Sequence, residues 1–190
     1  MPFFPLAAPQ LSARCPAVGY LGPACIDLEF MTLTPSLSLR AGLLLGALRT
    51  VWMAVEHLAG IRTTHLDWVE GSYGLFLLVG VPLLWAVLLA PVQRGPSPLA
   101  LRDLMVTGLG AGVISGLIHV AVFWTYTEFL HPEFLDAFIA WNAENSSNTL
   151  EIAEREFRLP AFLDILFVHP LLFNPLTAVA LGGILAKRAK

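Results

Sequence analysis

Five ionisable side chains, Arg49, Glu56, His119, Asp164 and His169, stand inside stretches of this chain that are otherwise almost wholly apolar. Histidines and carboxylates at membrane depth pass protons or hold metal ions, so a proton pathway or a metal site is the sharpest chemistry these types permit. Their spacing points elsewhere. No HExxH or HxxxH pair fixes two ligands on one helix face. His119 and Glu128 lie nine residues apart and point to opposite sides of one helix. GxSxG, phosphate-loop and nucleophile–base motifs are missing too, so the sequence offers no catalytic residue, no cofactor site and no metal ligand set. A hydrogen-bonded structural network of the five is the reading that follows, with transport as the alternative.

Arg49 sets the strictest demand. It sits about 13 Å into its apolar stretch at 1.5 Å per residue, near the middle of a bilayer. A charge there costs at least about 2.5 kcal/mol, so it must face inward and find a partner. Glu56 is seven residues on, about 10 Å along the axis, and is expected to be too far for a direct pair within one helix. Asp164, His169, or carbonyls freed by Pro170 and Pro175 are the expected partners.

The elements that carry these residues are four long apolar runs, 41–61, 74–92, 104–130 and 162–186. Each reaches the roughly 18–20 residues needed to cross about 30 Å of hydrocarbon. Only 13% of the 190 residues are charged, about half the usual share of a soluble domain. Mean hydropathy is +0.71. The expected fold is all-α, an integral membrane protein built as an antiparallel bundle of four transmembrane helices. A short amphipathic segment between helices 3 and 4, residues 131–160, carries Phe134, Phe138, Ile139 and Trp141. Asn148 with Glu151 reads as a capping box for a short acidic helix through Phe157. The net charge of −3 gives no field for nucleic acid. The lipid bilayer is the expected partner.

Residues 1–37 read as a disordered or mis-assigned extension, with Met31 a candidate start, and residues 38–190 as the membrane domain. Cys15 and Cys25 have neither metal-ligand nor redox spacing. Lysine and arginine counts orient the bundle. Arg14, Arg40, Arg94, Arg102, Lys187, Arg188 and Lys190 fall on one side, and Arg62, Arg155 and Arg158 on the other. Both termini are therefore expected in the cytoplasm of a multi-pass cytoplasmic-membrane protein. Trp68, Tyr73, Trp124, Tyr126 and Trp141 should form an aromatic belt at the opposite interface.

Small residues supply the packing surfaces. Gly108, Gly112, Ser115 and Gly116 line one face of the third span, and Gly42 and Gly46 one face of the first. These two stripes are expected to pack inward as helix seams, which also serve association with a second copy or a membrane partner.

The run Gly95-Pro96-Ser97-Pro98-Leu99-Ala100-Leu101-Arg102-Asp103, the glycine-rich third span and its end Trp124-Thr125-Tyr126-Thr127-Glu128-Phe129-Leu130-His131-Pro132-Glu133-Phe134 resemble the family catalogued as domain of unknown function 4199. Those are uncharacterised bacterial four-span proteins with an acidic helix before the last span and a basic tail, matched here by residues 151–156 and 187–190. The resemblance covers residues 38–190 and implies a membrane protein without an assigned activity. Arg49, His119, Asp164 and His169 depart from that pattern. The expected function is a small, non-enzymatic membrane protein that associates through its helix seams. The alternative is an oligomeric transporter or channel-like subunit using the five ionisable residues.

Overall fold

The computed structural model describes residues 23–95, 98–146 and 149–188. All its regular elements are helical. Helix α1 spans Pro23–Leu58. A short 3₁₀ turn, Leu66–Trp68, opens α2, Val69–Leu75, which runs through a π-helical turn, Phe76–Gly80, into α3, Val81–Gln93. Helix α4, Leu101–Thr125, ends in a second π-helical turn, Tyr126–Leu130. Then come α5, Phe134–Asn145, α6, Leu150–Phe157, and α7, Leu159–Arg188.

Four segments are long and apolar enough to cross a bilayer: Pro35–Leu58, Leu66–Gln93, Leu101–Leu130 and Leu159–Lys187. The polarity of the packed bundle is inverted relative to a water-soluble domain. Arg49, Glu56, Thr107, Ser115, His119 and Asn174 are buried, whereas Leu43, Val51, Leu78, Val87, Leu117 and Leu176 face outward. Such a surface is stable only against hydrocarbon, where apolar side chains need no burial and polar ones must be satisfied internally. The chain is a small multi-pass membrane protein.

The spans pack as a tight trio with a fourth attached. Helix α4 lies between α1 and α7. The two glycine stripes pack inward but do not face each other. Gly42 and Gly46 instead receive Ile114 and Ile118 of α4; a Cβ at Gly42 would stand 2.6 Å from the Ile114 Cβ. The stripe on α4 turns to α7, where a Cβ at Gly112 would meet the Pro170 carbonyl oxygen at 2.6 Å and one at Gly108 would overlap the Pro175 backbone. The reason is geometric. Two smooth faces in apposition leave voids, while a branched knob in a glycine notch fills them, and prolines, having no N–H, let a second backbone come close. The seam is thus spent inside one chain.

Helix α7 continues through Pro170 and Pro175, and the Asn174 amide donates to the Pro170 carbonyl at 2.9 Å. Asn174 also accepts from the Trp85 indole N–H at 2.8 Å and reaches the Ser115 hydroxyl at 3.4 Å. One polar knot so joins three spans.

The α5–α6 pair caps one end of the bundle. Phe134 and Phe138 are fully buried, and Phe138 packs on Phe157 and Phe162 with centroids 5.1 and 5.8 Å away. Helix α6 is capped by the Thr149 hydroxyl, which accepts from Ile152 N–H. Asn148, the expected cap, lies outside the described residues, as do residues 1–22. Helix α1 begins at Pro23, inside the segment expected to be an extension.

A side chain at Gly108 has nowhere to go, while one at Gly183 meets nothing within 4 Å. Gly108→Ala should lower the unfolding free energy in mild detergent by about 1–3 kcal/mol, as overpacking does. Gly183→Ala should leave it unchanged or raise it slightly. Thermal unfolding of the two variants side by side checks the seam.

Candidate functional site

The site begins at the end of α1. The Gly60 N–H bonds to the His57 carbonyl at 3.0 Å, and the Ile61 N–H to the Glu56 carbonyl at 2.9 Å. This is the double closure of a Schellman motif, with Gly60 at φ +77° in the left-handed position that glycine tolerates. The turn folds the chain back on itself. Arg62 therefore returns under the helix end, and its Nε and Nη2 donate to Glu56 Oε2 at 2.8 and 2.7 Å.

The other carboxylate oxygen is as fully used. Glu56 Oε1 accepts from Arg49 Nη1 at 3.1 Å and from the Ser72 hydroxyl at 2.7 Å. Ser72 in turn accepts from the Trp52 indole N–H at 2.9 Å. Four donors occupy the four lone-pair positions of one carboxylate, which is 1% exposed.

The Arg49–Glu56 pair corrects the expectation that Asp164 or His169 would neutralise Arg49. Seven residues turn a helix by 700°, so the two side chains share a face. The Glu56 side chain leans toward the helix N-terminus, as helical side chains do, and the long Arg49 stem reaches the opposite way. Together they close an axial gap that looked too long between backbones. Asp164 is exposed on α7 and takes no part.

His119 and His169 stand beside this cluster without bonding to the carboxylate. His119 packs edge-on to Phe76 at 6.2 Å, and the Leu45 and Leu166 backbones approach it without forming a well-directed hydrogen bond. His169 stacks on Tyr73 at 5.6 Å. Aromatic rings wrap both guanidiniums. Arg49 lies 4.8 Å over Tyr73 and 5.3 Å over Phe76. Arg62 lies 5.2–5.7 Å from the centroids of Phe123, Tyr126 and Phe134. Tyr126 is thus buried inside the bundle and Tyr73 turned toward it, not at a lipid-facing belt, where Trp68 and Trp124 do stand exposed. Hydropathy locates an aromatic by depth and is blind to its azimuth. Tyr126 also hydrogen-bonds His57 Nδ1 at 3.0 Å.

Beside the cluster lies a cavity of about 260 Å³ under the α5–α6 cap. Arg49, Arg62, Tyr73 and His169 line its polar side, and Phe138, Phe157, Phe162, Ile165 and Leu166 its apolar side, with exposed Glu70 at the rim. Arg62 Nη1, the Tyr73 hydroxyl and His169 Nδ1 are buried there without a hydrogen-bond partner. Both described ion pairs of the two arginines go to Glu56. Two cations against one anion leave a positive charge over. Among the described residues, no three His, Cys, Asp or Glu side chains gather as a metal site would require.

Sequence reasoning missed Arg62, Ser72 and Trp52. Gly60 was the available signal, because a helix-ending glycine followed two residues later by arginine returns that arginine to the helix just completed. Comparison of the chain with family models, with curated proteins and with solved structures finds no match.

Glu56→Gln strands two buried guanidiniums, whereas Arg62→Met leaves the balanced Arg49–Glu56 pair. The first should lower the unfolding free energy by about 3–5 kcal/mol, the usual loss when one partner of a buried pair is removed. The second should cost less than half as much. Denaturant unfolding of both variants in the same detergent decides the order.

Proposed function

We propose that the protein is a non-enzymatic, ligand-binding membrane protein that holds an oxyanion, a carboxylate or a phosphate, in the cavity beside Arg49 and Arg62. The observation that carries this reading is the buried, unpartnered Arg62 Nη1, on a residue that lines a cavity beside which the buried charges, Arg49 and Arg62 against Glu56, sum to plus one. A charged donor left unmade in a dry site is costly. An anion in the cavity would satisfy it and balance the charge. The cavity lining carries no serine, threonine, cysteine or lysine nucleophile, which favours binding over chemistry.

Conduction is the weaker reading. The polar groups fall into two separate knots, Arg49–Glu56–Arg62–Ser72 and Trp85–Asn174–Ser115. Between them α4 and α7 meet backbone to backbone at Gly112 and Pro170, and His119, which stands between the two knots, has no hydrogen-bond partner for either ring nitrogen. Association through the glycine seams is also disfavoured, because those glycines are occupied within the chain.

The orientation that goes with this reading puts both termini in the cytoplasm and the capped end outside, in the cytoplasmic membrane of a bacterium. It also keeps the kinship with domain of unknown function 4199. The lysine and arginine asymmetry supports the orientation.

Two measurements test the proposal. At constant ionic strength, inorganic phosphate or acetate should raise the thermal midpoint in detergent, by an amount worth about 2.7 kcal/mol at a hundred times Kd. A midpoint indifferent to phosphate, sulfate and acetate overturns the anion site. For orientation, a variant with Cys15→Ser and Cys25→Ser should react with an impermeant maleimide at Asn145→Cys in intact cells. At Lys187→Cys it should react only after permeabilisation.

A further inference from the structure

The way the fourth span is attached says more about the ligand. Helix α3 packs closely along α7, whereas α2, on the far side of the π-helical turn Phe76–Gly80, has little close packing with it. A π-helical turn is a common place for a helix to bend. Across the opening only side chains meet, with the Tyr73 ring stacked on His169. The cavity lies in this opening and is bounded by Val69 and Glu70 on one side and Phe162, Ile165 and Leu166 on the other. Ile165 and Glu70 are exposed, so the cavity communicates with the surroundings of the bundle.

Arg62 lies four residues beyond the end of the first span and four before the start of the second, which is interfacial depth. Its side chain is nevertheless only 3% exposed. His169 lies ten residues into α7, about 15 Å further along the axis. Arg62 is therefore at the level of lipid headgroups, Arg49 and His169 carry the polar side of the cavity deeper into the bundle, and Phe162, Ile165 and Leu166 face that side along the same stretch of α7.

Resting on the anion-site reading above, we propose that the ligand is a single-chain anionic amphiphile, a fatty acid or a lysophospholipid with a free phosphate. It reaches the site sideways from the bilayer between α2 and α7. Its carboxylate or phosphate lies against Arg62 Nη1 and the Tyr73 hydroxyl, both buried donors without partners. Its chain runs along Ile165 and Leu166. The aromatic cap of Phe138, Phe157 and Phe162 closes over the head and keeps water from it. A cavity of about 260 Å³ encloses a headgroup and the first part of one chain, and the rest extends into the membrane. A two-chain lipid does not fit under the cap. Glu70 at the rim carries the wrong charge for an anion arriving from water, whereas an amphiphile coming through the hydrocarbon avoids it.

The test uses the full-length wild type in a neutral detergent. Oleate and oleoyl lysophosphatidate should each displace a bound fluorescent fatty acid at least tenfold more tightly than neutral monoolein. They should do so at least a hundredfold more tightly than acetate or inorganic phosphate. A fatty acid with a diazirine on its chain should crosslink to Val69 and Ile165, and oleate but not monoolein should suppress the crosslink. Arg62→Gln should bring oleate down to the level of monoolein. Because that variant risks misfolding, the wild-type crosslink carries the decision by itself. Phosphate binding as tightly as oleate, with no competed crosslink at Ile165, would overturn the amphiphile and leave the anion site standing. Monoolein binding as tightly as oleate, with phosphate inert, would overturn both.

Discussion

The Glu56 carboxylate is the constraint on which the capped half of the bundle depends. It accepts from Arg49 on its own helix, from Arg62 beyond the turn and from Ser72 on the next span. Each bond fixes a different piece of chain. Arg49 holds the carboxylate inward, Arg62 draws the reversal after Gly60 under the helix end, and Ser72 ties α2 to α1. In a bilayer no hydrophobic force presses one helix on another, so polar contacts and close packing have to do it. The divergent part of the second span has little close packing with its neighbours, and the carboxylate is what holds it there.

The two ends of the molecule therefore obey different physics. The core of α1, α4 and α7 is held by shape. Glycines on α4 admit the Pro170 and Pro175 backbones, and isoleucines on α4 fill notches at Gly42 and Gly46. Such contacts are short-ranged and tolerate almost no displacement. The capped end is held by charge, hydrogen bonds and rings on guanidiniums, which act over longer distances and allow the helices to stand apart. That difference is why a cavity exists at all. It opens where glycine packing stops, between α7 and the part of span two that precedes the π-helical turn.

Much of this could be read from the sequence, because crossing a bilayer demands some 20 apolar residues and few alternatives satisfy that demand. The four spans, their all-helical bundle and the two-helix insert all follow from length and hydropathy. What was not legible came down to direction. Glycine stripes announce close contact without saying which helix supplies the partner, so Gly108 and Gly112 met α7 and not α1. Tyr73 and Tyr126 have the depth of belt residues yet point inward. Arg62 counted as one more loop charge, and only the left-handed Gly60 returns it to the interior. Trp85 and Asn174 are 89 positions apart, a separation at which no local pattern carries information. The Arg49–Glu56 pair failed for a simpler reason: axial distance between backbones was taken for distance between side chains.

A buried arginine kept for folding alone is a poor device. Replacing a buried charge cluster by apolar groups of similar size is often neutral or stabilising, and Arg49 with Glu56 already makes a neutral pair. Arg62 adds a charge that this pair does not need and brings it to the wall of a cavity with one donor unspent. The arrangement becomes balanced when a second anion is present. Stability and occupancy are then one quantity seen from two sides, since whatever binds the folded state alone must also stabilise it. The cap over Arg62 is made of rings stacked on rings, with few polar ties. Filling the cavity should therefore tighten α5 and α6 onto the bundle, and emptying it should loosen them. This couples a lipid-level event to α5 and α6, which lie between the third and fourth spans.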